Sequence, residues 1–203
     1  MVGVYVEPVG VSGLDVPFTW ATKPSASAVA VNTVIFVSDI GNGSYFVSDG
    51  TYWKKVHPVK LYTTGSTTTA VTNTTAETQV ASFTLPGGVM GLNGILRLCP
   101  MFSQTNSANT KTLRIKLGAA TAIIQAFGGS GSASAYGILT IRNLNSQSSQ
   151  KSTQGGSLGV GTTSSAIGTS AADTSADITV SLTVQMGALA ETVTLEHLFV
   201  EVL

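Results

Sequence analysis

The chain has 203 residues and carries ten Lys/Arg against ten Asp/Glu, while Ser, Thr and Gly together supply more than a third of it. A neutral chain with a pI near 6.7 lacks the basic surplus that phosphate binding needs, which argues against a dedicated nucleic-acid protein. Charged heptads are missing, so a coiled coil is excluded; apolar residues, 43% of the total, run in short stretches throughout and suffice for a core.

Residues 1–8 (MVGVYVEP) have no basic segment, no sustained apolar run and no small-residue cleavage site, so no secretory leader is expected and synthesis in the cytoplasm follows. Val4, Val6, Phe18 and Trp20 are the apolar residues of this N-terminal arm and the candidates for burial against a partner. Residues 29–37 (VAVNTVIFV) are rich in β-branched side chains and end at Ser38-Asp39-Ile40-Gly41-Asn42-Gly43, a turn cluster. Residues 44–47 and 51–56 follow, and the Asp49-Gly50 step between them predicts a hairpin. The segment reads as a short meander with Phe36, Phe46 and Trp53 as its miniature core. A unit of this size is marginal by itself.

Nine of the fourteen aromatic residues and four of the six prolines lie in the first 62 positions. The shift in composition there divides the chain into an arm with a small β module (1–62), a Thr-rich linker (63–75) and a second module (76–203). In that module Ile178, Val180, Leu182, Val184 and Met186 alternate with Thr179, Ser181, Thr183 and Gln185, the pattern of a half-buried strand. Leu113, Ile115 and Leu117 alternate with Thr112, Arg114 and Lys116 in the same way. Further strands are predicted at 79–85, 94–101, 122–127, 137–142 and 192–202. Antiparallel strands without helical crossovers predict a sandwich or barrel. The longest uncharged stretch, 117–141, is broken by glycines and hydroxyl residues and does not read as a membrane span.

Residues 143–177 are the exception, with only Leu144, Leu158, Val160 and Ile167 as large aliphatics. The expectation is an extended excursion with one short strand near 157–161, packed on a neighbouring subunit.

Groups able to do chemistry are sparse. His57 precedes Pro58 at a strand end, and His197 lies in the last strand, where a cross-strand polar partner is expected. Cys99, the only cysteine, sits in an apolar run and reads as a small core residue. Asp39 and Asp49 occupy turns where a carboxylate accepts backbone hydrogen bonds. Asp173 and Asp177 lack the further acidic ligands a cation needs, and the spacing of five among Glu191, Glu196 and Glu201 scatters them over two faces. Lys54, Lys55 and Lys60 read as solvated strand-edge charges. Residues 156–161 (GSLGVG) lack the strand-loop-helix context of a dinucleotide site. No catalytic, cofactor-binding or metal-binding residue is singled out, and a non-enzymatic protein is expected.

Two stretches carry a likeness. Asn32-Thr33-Val34-Ile35-Phe36-Val37-Ser38-Asp39 with Ser44-Tyr45-Phe46-Val47-Ser48-Asp49-Gly50-Thr51-Tyr52-Trp53-Lys54 resembles a small module found near the N-termini of tailed-bacteriophage fibre and virion proteins. Asn73-Thr74-Thr75-Ala76-Glu77-Thr78, residues 81–86 (ASFTLP), residues 105–118 (TNSANTKTLRIKLG), residues 177–184 and residues 191–196 resemble a jelly-roll domain of phage structural proteins. Together these cover about three quarters of the chain. The resemblance implies an all-β fold, a small N-terminal β meander plus a C-terminal antiparallel jelly-roll sandwich. It implies a homotrimer on a virion: a head fibre or capsid decoration (cement) subunit held to the major capsid protein or another virion protein through its N-terminal segment. The alternative is a tail or baseplate protein that recognises a host surface glycan, for which Tyr136, set among Ser132, Ser134 and Gly137, is the candidate stacking residue. Neither reading calls for a cofactor, nucleic acid or membrane insertion.

Overall fold

The computed structural model describes residues 17–64, 69–127, 131–153 and 167–203, and among them the fold is all-β, with one 3₁₀ turn at Ala26–Ala28 and no α-helix. The chain divides into two compact units at His57/Pro58.

The first unit is a three-stranded antiparallel meander of β1 (Val34–Val37), β2 (Ser44–Ser48) and β3 (Trp53–Lys55). Phe46 is its buried centre, as expected, but its cross-strand partner is Ile35, and Val37 and Ile40 complete the core. Phe36 was expected there too. The period of two turns it to the opposite face, where its ring lies 5.1 Å from that of Tyr45. Trp53 is half-buried at the rim, its Nε1 donating to Pro24 O at 2.8 Å. The predicted hairpin is present: Asp49 Oδ1 accepts from Thr51 N (2.8 Å) and Tyr52 N (2.7 Å), and Gly50 takes φ +90°.

The second unit has two sheets. One is eight-stranded: β4 (Val59–Thr63) and β5 (Thr69–Thr72) pair successively with β15 (Thr192–Val202). Strand β15 then pairs with β7 (Ile95–Gln104), and β7 with β10 (Ser134–Tyr136) and β11 (Leu139–Asn143). Finally β12 (Gln150–Thr153) and β13 (Ile167–Ser170) extend the sheet beyond β11. The other sheet has the order β6 (Thr78–Leu85), β14 (Ile178–Met186), β8 (Lys111–Leu117), β9 (Ala120–Phe127).

Taking β4 with β5 and β10 with β11 as single interrupted strands, and β12–β13 as an extension of β11 within its own sheet, the chain passes from sheet to sheet at every remaining connection except β8–β9. Each sheet then has a late strand, β15 or β14, inserted one place in from an edge between earlier ones. That is the jelly-roll order. Its core is built from the inward positions of both sheets, among them Leu96, Leu98, Leu113, Ile115, Leu182, Val184, Leu198 and Val200, all buried. Aromatic stacks join the two layers at both sides: Tyr62 on Phe83 at 5.1 Å and Phe102 on Phe127 at 5.3 Å.

Two expectations are corrected. The supposed linker 63–75 carries strand β5 and the end of β4, because threonine is β-branched and a Thr-rich run pairs well when an edge is available. Within 143–177, the described residues include two paired strands, β12 and β13, and Ser152 Oγ donates to Ala122 O on β9 of the opposite sheet. The short strand predicted near 157–161 lies outside the described residues.

Candidate functional site

Of the four candidates for partner anchoring, Val4 and Val6 lie outside the described residues. Phe18 and Trp20 are half-buried within the first unit. Phe18 N donates to Phe36 O (3.0 Å) and Ser38 N to Phe18 O (2.8 Å), which sets Phe18 beside β1. The Trp20 ring sits 4.9 Å from Phe46, its backbone N donates to Asp39 Oδ1 at 2.7 Å, and Lys23 Nζ lies 3.8 Å above its face. Much of both side chains is therefore already used inside the unit.

Tyr136 stands out as expected. It is 86% exposed on the outer face of the eight-stranded sheet, opposite Met101 of β7, which is also exposed. Beside it opens a small apolar cleft where Phe102, Leu113, Phe127 and Leu139 approach the surface, with Gln125 as its polar member. The cleft holds about 30 Å³. Pockets that enclose a drug-sized ligand run from roughly 300 Å³ upward, so this one could seat the edge of a ring and no more.

The titratable groups are held singly or in ion pairs, spread over the fold. His57 is exposed past the end of β3, and His197 Nδ1 lies 3.4 Å from Thr64 Oγ1 across the sheet. Cys99 was expected in the core. Parity with buried Leu98 and Pro100 turns it to the outer face, half-buried, where partial burial raises its pKa. Asp173 Oδ1 accepts from Ser175 N and Oγ, and Asp177 Oδ1 from Gly87 N (2.7 Å), so the two carboxylates serve separate turns. Glu201 pairs with Arg97 and Glu196 accepts from Ser103 Oγ. Among the described residues no three His, Cys, Asp or Glu side chains gather as metal ligands would. Lys54 pairs with Asp49 at 2.9 Å, while Lys55 and Lys60 are half-buried, burial lowering the pKa of Lys55.

A buried polar cluster was missed in the sequence. Lys111 is 0% exposed and Glu191 3%. Lys111 Nζ donates to Thr105 O (3.1 Å), Ser107 Oγ (2.9 Å) and Asn109 O (3.2 Å), and lies 3.4 Å from Glu191 Oε1. That same oxygen accepts from Ser107 Oγ and Asn109 Nδ2, which hold the Glu191 pKa below the ordinary carboxylate value, the Ser107 bond most of all. The signal was parity: Lys111 is in phase with Leu113, Ile115 and Leu117, hence inward. Chemically the cluster is closed to substrate and ties the turn before β8 to the turn before β15.

A second cluster anchors the excursion. Asn143 Nδ2 donates to Gly91 O (2.7 Å) and Thr174 Oγ1 (2.9 Å), and its Oδ1 accepts from Gln150 Nε2 (3.0 Å).

Comparison of the chain with protein-family models, with curated proteins and with solved structures finds no match in any of the three.

Proposed function

We propose that the protein is a non-enzymatic structural component of a phage virion, a homotrimeric head fibre or capsid decoration subunit that presents its jelly roll outward. The observation that carries the reading is the pairing, in one chain, of a small meander bearing the residue pattern of phage N-terminal modules with a complete two-sheet jelly roll. Attachment to the major capsid protein or another virion protein runs through the N-terminal segment, with Val4 and Val6 as its apolar contacts and trimer avidity multiplying a modest single-site affinity. Because Phe18 and Trp20 already pack inside the first unit, the deletion that tests attachment removes residues 1–16 only. Purified heads lacking the wild-type protein are expected to take up the full chain and not the truncated one. Undiminished occupancy by the truncated chain, or antibody labelling confined to the tail, overturns the reading.

A second reading, a tail or baseplate protein that binds host surface glycan, draws support from the exposure of Tyr136 beside the apolar cleft. Aromatic rings on a rigid sheet stack on the apolar faces of sugars. Reduced adsorption of a Tyr136→Ala phage to its host is the expected result under this reading, and unchanged adsorption counts against it.

A further inference from the structure

The register of the eight-stranded sheet places two cations directly opposite each other. Arg142 of β11 pairs in register with Lys151 of β12, and both are exposed on the outer face. Neither has an ion-pair partner among the described residues. Like charges facing across a strand pair cost stability, and sheets ordinarily avoid them. Edge protection does not account for the pair either, since β13 lies outside β12 and is the edge. Arg97 is the diagonal neighbour, standing opposite Thr140, but its charge is answered by Glu201. Exposed Thr153 and Thr169 add hydroxyls around the uncompensated pair.

Along the same column of the face, every second residue points outward: Tyr136, Ile138, Thr140 and Arg142, with Leu139 and Ile141 buried between them. One end is therefore an exposed aromatic and aliphatic platform, and the other a pair of unanswered cations. At about 3.3 Å per residue the column is ~20 Å long, the length of a short oligosaccharide and not of a single sugar.

We propose that this column is a binding site for a polyanionic carbohydrate, whose pyranose rings lie on Tyr136 and Ile138 and whose acidic groups pair with Arg142 and Lys151. The inference rests on the glycan reading given above and adds the chemical class. An acidic glycan supplies both an apolar ring face and repeated negative charge, which the two ends of the column require together.

The experiment is calorimetric titration of the full chain with an oligogalacturonate, a sulfated dextran fragment, a neutral dextran fragment of equal length and a poly-glutamate peptide. The expected result is binding of at least one acidic glycan that weakens with added salt, falls tenfold or more in Arg142→Ala/Lys151→Ala, and falls similarly in Tyr136→Ala, with thermal unfolding unchanged in Tyr136→Ala and unchanged or raised in the double variant, which removes the like-charge pair. Neutral dextran bound through Tyr136 with no dependence on Arg142 or Lys151 overturns the acidic class and leaves the glycan reading standing. Binding of neither acidic nor neutral glycan overturns both. Poly-glutamate bound as tightly as the glycans and indifferent to Tyr136→Ala assigns the cations to an acidic protein partner and also overturns the proposal.

Discussion

The Nζ of Lys111 lies 3.4 Å from Glu191 Oε1, with both side chains withdrawn from solvent at one end of the sandwich. Removing one member of such a pair strands the other without its counter-charge. Lys111→Met is expected to lower stability by about 3 kcal/mol or more, whereas replacing both residues with apolar ones costs much less than the sum of the single changes. Urea unfolding of the two single variants and the double variant checks this; strict additivity would show that the pair is not coupled.

Acid should weaken the first unit through Asp49. Bonds from the Tyr52 backbone, then Lys54 and the Thr51 backbone, lower its carboxyl pKa from 3.8 to about 2. A depressed carboxylate stabilises the fold fully above its unfolded pKa and ceases to do so as pH falls through the folded one, here between about pH 4 and about pH 2. NMR titration of Asp49 is expected to give a midpoint near the lower limit. Asp49→Asn should lose less thermal stability across that window than the wild type.

Any side chain at Gly43 is strained. Its φ is +99°, and a Cβ built on it would strike the ring of Phe36. Gly43→Ala is expected to destabilise the meander by about 1–3 kcal/mol. Combining it with Phe36→Leu removes the collision but not the backbone strain, so only part of the loss should return in thermal unfolding.

Asn143 holds the excursion to the jelly roll with three hydrogen bonds, two of them fully buried. Asn143→Ala takes from Gly91 O its side-chain donor and from the Gln150 amide one of three acceptors, Gln147 O and Ala172 O remaining, a loss of about 1–3 kcal/mol. Hydrogen exchange at the β12 amides should accelerate while exchange at β14 stays close to wild type. Equal acceleration in both strands would indicate that the excursion and the sandwich open together.

Strict alternation was legible wherever one face of a strand is apolar, so β14 appears in the sequence with its observed bounds and β8 to within one residue. Strands β12 and β13 were not legible. Each is four residues long and buries Gln150, Ser152 and Gly168 instead of large aliphatics, so their pairing is sustained by the Asn143 and Gln150 bonds that no local pattern reveals. Phe36 and Cys99 were misplaced because hydrophobicity was weighed above parity, and Lys111 was overlooked because its charge was weighed above the same parity. Tyr136 was found because its neighbours are small and polar. Its cationic counterparts were not, since Arg142 and Lys151 become neighbours only through the β11–β12 register.

Strand β15 lies inside the eight-stranded sheet, between β7 and the edge made by β4 and β5, although its partners on that edge, Thr72 and Thr64, lie 120 and 134 residues earlier. The β8–β9 hairpin can close as soon as it is made, but β4, β5 and β7 must wait for residues 192–202 before their inner positions are joined into one layer. Contacts this distant make folding slow. During synthesis the half-made chain would hold open several unpaired strand edges, the species that chaperones bind and that aggregates when crowded. Yield of the protein should therefore depend on how fast its last strand is delivered, more than on any residue of its surface.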